Sequence, residues 1–261
     1  MISFLWKLLL VPSAFAQVWI FAGNSWLNTT ALDLGSGNTT KYVSFGNNHD
    51  LSYTDDWTIC VWHYPHSAWE APVFSKENGS TSNGWDLRYK TNNTYQWYSS
   101  GSGATRRIQW TSSGTSFTTG TWRHVCVTND GAGTAAGMAF IVDGASETKT
   151  TNFSTSTEDW TTSANFKIAA WDNLTTYGRA KWDEMTIWND NLSTTEIAEL
   201  ISGGHPANPA RASFWASKNI SYYRMGDLTD STSTIVDRGV VGGVNGTGTS
   251  LSSGDFVTSV P

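Results

Sequence analysis

Short runs of β-branched and aromatic residues recur along this chain between clusters of Gly, Asn, Asp, Ser and Thr, a pattern that points to an antiparallel β protein. Residues 41–45 (KYVSF) alternate and then meet Gly46-Asn47-Asn48. Residues 57–64 (WTICVWHY) alternate and stop at Pro65. Residues 85–89, 95–98 and 107–110 give three further short candidates. Residues 122–128 (WRHVCVT) run into Asn129-Asp130-Gly131, and 138–142 (MAFIV) end at Asp143-Gly144, a strong hairpin dipeptide. Residues 166–170 and 181–188 complete the set. Heptads, a solenoid period and a long amphipathic helix are all absent from the pattern. One helix is predicted, over 194–202. Ser193-Thr194-Thr195-Glu196 forms a capping box, Ile197, Leu200 and Ile201 follow at helical spacing, and Gly203-Gly204 supply a stop.

Composition decides between a folded β chain and a disordered tract rich in Ser and Gly. Aromatic residues make up 13% of the 261 residues and 15 of them are Trp, which a disordered tract lacks. The charged fraction is only 15%, and the formal net charge is −6. An acidic chain with scattered Lys and Arg does not build the electrostatic footprint of a nucleic-acid binder. No apolar run reaches the roughly 20 residues that a membrane-spanning helix needs.

The ends of the chain read differently from its middle. Residues 1–16 (MISFLWKLLLVPSAFA) are apolar, and Ala14-Phe15-Ala16 before Gln17 has the small-x-small form of a signal cleavage site. Lys7 inside the run, with Trp6 and Pro12 interrupting it, suits an apolar arm docked on a neighbour instead. Both readings stay open for 1–30. Residues 31–204 carry the strand pattern, and 205–261 form a Gly- and Ser-rich extension. In that extension Ile235-Val236 and Phe256-Val257 are the apolar anchors, predicted to add one or two edge strands. Cys60 and Cys126 both lie mid-strand. They read either as two buried free thiols or as one cross-link closing a loop of about 65 residues, a bond of roughly 4 kcal/mol in the chain-entropy model.

Several segments together resemble a known family. Leu32-Asp33-Leu34, then Tyr42-Val43-Ser44-Phe45, then Trp57-Thr58-Ile59 with Trp62 and Pro65, resemble the opening of laminin-G-like domains. Gly120-Thr121-Trp122-Arg123-His124-Val125-Cys126 is similar to the family's central strand, and Phe140-Ile141-Val142-Asp143-Gly144 to its hairpin. Trp182-Asp183-Glu184-Met185-Thr186-Ile187-Trp188, then Leu192-Ser193 and Glu196-Ile197, resemble its closing strand and short helix. The resemblance implies an all-β, antiparallel jelly-roll β-sandwich of the concanavalin-A-like kind with one short helix. Its pentraxin branch implies a disulfide between Cys60 and Cys126. It also implies calcium as a cofactor on loops at the sheet, with Asn83, Asp172 and Asn173 near the ligand positions. This chain brings a single carboxylate, Asp172, where the family brings several. The extension from Tyr222-Tyr223-Arg224-Met225-Gly226-Asp227 onward resembles those of laminin-G-like proteins encoded by marine bacteriophages, which implies a particle surface.

Catalytic patterns are weak. Glycoside hydrolases of this fold commonly carry Glu-x-Asp-x-x-Glu on a strand, and this chain has none. Glu158-Asp159 sits in a Thr/Ser loop, and Glu196 is taken by the capping box. Asp183-Glu184 is the best strand pair, yet adjacent residues of a regular strand face opposite sides. His63 and His66 with Glu70 would make a zinc set only across the Pro65 turn. Among the Trp residues, Trp57, Trp62, Trp122 and Trp188 read as core. Trp69, Trp97, Trp160 and Trp171 lie in or beside polar stretches and are candidates to stack on sugar rings. Nine Asn-x-Ser/Thr sequons occur, at Asn28, Asn38, Asn78, Asn92, Asn152, Asn173, Asn191, Asn219 and Asn245, and all fit exposed loops.

These observations predict an extracellular, non-catalytic module. The first reading is a structural or adhesive protein of a virion or particle surface, with other subunits or copies of itself as partners. The alternative is a secreted, lectin-like glycan-binding domain, assisted by calcium.

Overall fold

The computed structural model describes residues 28–77, 83–101, 107–114, 116–154, 159–227 and 229–261. The N-terminal segment as far as residue 27, the sequon at Asn78 and Glu158 therefore lie outside the described residues.

The early strands are β1 (Ala31–Asp33), β2 (Tyr42–Ser44), β3 (Asp56–Pro65), β4 (Ala71–Glu77), β5 (Gly84–Tyr89), β6 (Tyr95–Ser100) and β7 (Arg107–Ser112). Next come β8 (Arg123–Asp130), β9 (Met138–Val142), β10 (Ala145–Ser146), β11 (Lys149–Ser154), β12 (Lys167–Ile168) and β13 (Ala180–Trp188). Helix α1 (Thr194–Ala198) leads to β14 (Ile201–Ser202) and β15 (His205–Pro206). A second short helix, α2 (Trp215–Lys218), precedes β16 (Asn219–Tyr223), β17 (Thr234–Ile235), β18 (Gly246–Thr249) and β19 (Phe256–Val257). An eight-stranded sheet runs β10-β9-β8-β3-β13-β1-β19, with β16 also on β13. A nine-stranded sheet runs β11-β7-β6-β5-β4-β12-β2-β18-β17. All pairings are antiparallel, and the two sheets form a jelly-roll sandwich of the expected class. Among the described residues no helix is long and apolar enough to cross a membrane.

Alternation along each strand decides what lies between the sheets. Trp85, Leu87 and Tyr89 of β5, Tyr95 and Trp97 of β6, and Ile108 and Trp110 of β7 face inward. They meet Trp57, Ile59, Val61, Val125, Val127 and Trp182 from the other sheet. Trp85 stacks on Trp97 with ring centroids 6.0 Å apart, and Trp97 meets Trp57 at 5.4 Å. The outer face of the eight-stranded sheet is also covered. Cys60, Cys126, Ile141 and Trp188 pack there under Leu192, Ile197, Leu200, Ala212 and Phe214. That cover buries β3 on both faces from Trp57 to His63, although its sequence alternates. Among the described residues, no helix packs on the outer face of the nine-stranded sheet.

Local chemistry sets several ends. Asp143 and Gly144 both take left-handed φ (51° and 80°) to turn β9 into β10. Ser193 caps α1, and both bonds of the capping box are present. The helix is shorter than predicted. Gly203 and Gly204, at φ 61° and 84°, make the turn between β14 and β15, so 201–202 are extended and the glycines close a hairpin instead of the helix. The extension contributes to both sheets, β16 and β19 to one and β17 and β18 to the other.

Candidate functional site

The outer face of the nine-stranded sheet gathers polar and aromatic side chains from alternate positions, with Asp86, Gln96 and Tyr98 buried and Arg88 half-buried. Asp86 and Arg88 of β5 lie two residues apart and so share that face. The Arg88 guanidinium binds Asp86 through Nε (2.9 Å) and through Nη2. It also approaches Glu77 Oε2 at 3.6 Å and Glu70 Oε1 at 3.8 Å. Two aromatic rings lie near it, with its Cζ 5.6 Å from the Tyr98 centroid and 5.1 Å from the Trp171 centroid. Trp171 Nε1 donates to Asp86 Oδ2 at 3.0 Å. The indole is thus fixed by a hydrogen bond at its edge and a cation at its face, while remaining half-buried. Gln96, opposite Arg88 on β6, donates from Nε2 to Thr111 Oγ1.

The charges of this platform compensate one another. Arg88 is matched by Asp86, Lys90 by Glu70 at 2.9 Å, and Lys167 by Asp172. Burial and the neighbouring Asp86 raise the Glu77 carboxyl to about 9, so it is protonated at neutral pH. Lys167 also lies 5.9 Å from the Tyr42 ring, and Tyr42 pairs with Tyr177 at 6.3 Å, which extends the aromatic row.

Against the sequence expectations, Trp171 and Asp172 do come to the outer face. Asp172 holds the Lys167 ammonium, and Asn173 accepts from Thr175 within its own turn. Asn83 lies elsewhere, donating to Thr161 O at 3.4 Å. Among the described residues, no group of three carboxylate or imidazole ligands forms around Asp172. Trp69 is 37% exposed, with the Arg179 guanidinium 3.8 Å from its ring centroid. Trp97 and Trp160 correct the expectation, because both are fully buried. Trp97 faces inward on β6, and Trp160 packs on Trp97 and Tyr53. From those positions neither ring can meet a sugar. The zinc set also separates. His63 bonds Tyr95 in the core, His66 bonds Asp33, and Glu70 bonds Lys90. Asn38 and Asn219 are buried with their amides bonded to backbone carbonyls, so these two sequons are not exposed loops.

Asp183 and Glu184 depart from regular strand geometry. The register against β3 slips between Asp183 and Thr186, and Glu184 sits at φ 48°. This bulge brings both carboxylates to the outer side, which a regular strand could not do. Tyr222 and Arg224 donate to Glu184, Asn28 donates to Asp183 at 2.9 Å, and Arg224 also holds Asp227 at 2.5 Å. Burial and the Glu184 charge push Asp183 well up, and burial raises Glu184 to about 7. The cluster ties β13 to β16 and the extension. Sequence reasoning also missed Asp86 and Arg88, for which the i, i+2 polar pair within 85–89 was the available signal.

A two-sheet antiparallel sandwich of this kind is the jelly-roll architecture shared by viral capsid and lectin domains. The chain belongs to the Laminin_G_3 family of the concanavalin A-like lectin/glucanases superfamily, whose pattern matches residues 36–198, more than half of the chain. It is similar in fold to a candidate carbohydrate-binding protein from Bacteroides ovatus ATCC 8483, at 16% identity and TM-score 0.56. That match covers 84% of this chain and 58% of the other, so this chain spans little more than half of that protein. More distant likenesses are the heptameric SAP-like pentraxin from Limulus polyphemus (15% identity, TM-score 0.47, 69% and 85% covered) and the CBM40 of the Ruminococcus gnavus IT-sialidase bound to α2,3 sialyllactose (11%, 0.46, 57% and 84%). The sequence matches no curated protein.

Proposed function

We propose that this protein is a non-catalytic carbohydrate-binding module whose site is the Trp171–Arg88 surface of the nine-stranded sheet, held in place from beneath by the buried Asp86. The observation that carries the reading is the immobilised indole. Trp171 is held by Asp86 and Arg88 beside planar hydrogen-bonding groups, which is the chemistry that receives a sugar ring and its vicinal hydroxyls. The matched charges favour neutral over acidic glycans. Asp172 is already compensated by Lys167, so the reading uses no calcium. The family and the Bacteroides ovatus likeness support a carbohydrate-binding fold. Cys60 and Cys126, opposite one another on β3 and β8, are joined in a disulfide with no free thiol left among the described residues, which supports an oxidising, extracellular setting and suits both a secreted module and one displayed on a particle surface.

The test is a glycan panel probed with the parent and with Trp171→Ala, with calcium and with chelator. Binding of neutral oligosaccharides that survives chelator and falls at least about tenfold in the variant is expected. Binding unchanged by Trp171→Ala, or none across the panel, would overturn the reading.

A further inference from the structure

The geometry points to a second, redox-gated site on the opposite face of the molecule: once Cys60–Cys126 is reduced, the two thiolates and His124 form a three-ligand site for a soft, borderline divalent ion such as zinc. The three residues are brought together by the sheet itself. Cys60 and Cys126 stand directly opposite one another on β3 and β8. His124 lies two residues before Cys126 and so shares its face. The donor atoms of all three lie within 4.8 Å of one another, and all three residues are buried. Cys126 Sγ is 3.8 Å from His124 Nδ1 and 3.9 Å from Nε2. Tetrahedral zinc with ordinary Zn–S and Zn–N bonds needs ligand separations of about 3.6–3.8 Å, a spacing the Cys126–His124 pair already has and to which the two sulfurs must swing apart once their bond is broken.

Two further features fit. His124 lines a small cavity with Trp62, Glu184 and Thr186 beneath Leu200, Pro206, Ala207 and Pro209. The cover over the sulfurs is apolar, as structural metal sites require of their surroundings. The chemistry balances with a dithiol as reductant. The dithiol is oxidised to its own disulfide as Cys60–Cys126 gains two electrons and two protons. Those two protons leave when the thiols bind the ion as thiolates.

The test is cobalt(II) titration of the full chain, oxidised and then reduced with a dithiol that is afterwards removed anaerobically. The reduced protein should take up one cobalt per chain with thiolate-to-cobalt charge-transfer absorption and the visible bands of four-coordinate cobalt. Zinc should displace it, and the oxidised protein should show neither signal. His124→Gln should weaken binding about 100-fold or more, since a lost ligand costs at least what a lost supporting residue does. Cys60→Ser with Cys126→Ser should abolish the charge-transfer band while near-ultraviolet circular dichroism reports the fold. Equal binding by His124→Gln, or no charge-transfer band in the reduced parent, would overturn the inference. So would a reduced chain that unfolds and does not recover its near-ultraviolet signal with metal.

Discussion

Replacing both half-cystines, Cys60→Ala with Cys126→Ala, removes a cross-link between positions 66 residues apart. In the chain-entropy model a loop of this length restricts the unfolded chain by about 15 cal/mol/K, or about 4 kcal/mol at room temperature. A second contribution comes from packing. The two sulfurs are buried against Ile141, Trp188 and Leu192, and deleting them leaves a small void worth about 1 kcal/mol. The expected loss is about 5 kcal/mol. For a chain of this size that corresponds to a fall in Tm of about 10–20 °C. Urea unfolding followed by Trp fluorescence reads both the loss and the slope. The slope should rise, because an unfolded chain without the cross-link exposes more surface. A loss below about 1 kcal/mol with an unchanged slope would refute the argument. It would mean that β3 and β8 stay associated in the denatured chain whether or not they are bonded.

Two Trp substitutions should separate function from stability. Trp171→Ala should reduce glycan affinity with little change in Tm, whereas Trp97→Ala should cost about 3–5 kcal/mol of stability in a denaturant titration. Glu77 holds its proton to about pH 9 when folded, against 4.5 as the ordinary value. The stability it contributes is complete below about 4.5 and is lost as pH rises toward 9, so Glu77→Gln should flatten the alkaline fall in Tm. Gly178→Ala would place a Cβ 2.6 Å from Trp182 Cη2 and 3.1 Å from Ala169 Cα. A loss of about 1–3 kcal/mol is expected in thermal unfolding.

The strands were legible because alternation and turn dipeptides act locally. Asp143-Gly144 and the Ser193–Glu196 box each needed only a few neighbouring residues to declare a turn or a helix start. The aromatic site was legible in part. Trp97 sits between Gln96 and Tyr98, so its surroundings looked polar, but those neighbours belong to the other face of the same strand. Trp160 packs on Trp97, a contact between distant segments that spacing does not report. The bulge at Glu184 carries no glycine to announce it. The left-handed φ is imposed by tertiary contacts with Tyr222 and Arg224, nearly forty residues further along the chain. The Asp86–Arg88 pair became a platform only when Trp171 arrived from another loop.

The order of the strands has a consequence for how the protein is made. Leu32 of β1 pairs with Phe256 of β19, and Val43 of β2 pairs with Gly248 of β18. At about 5–20 residues per second, a ribosome needs roughly 10–45 seconds to travel from position 32 to position 256. Throughout that interval β1 lacks at least one neighbour, and β2 does so until β18 is made, with main-chain groups open to any passing strand. A nascent chain of this kind stays exposed to mispairing until β18 and β19 emerge, and cutting it before β18 would make that vulnerable period permanent.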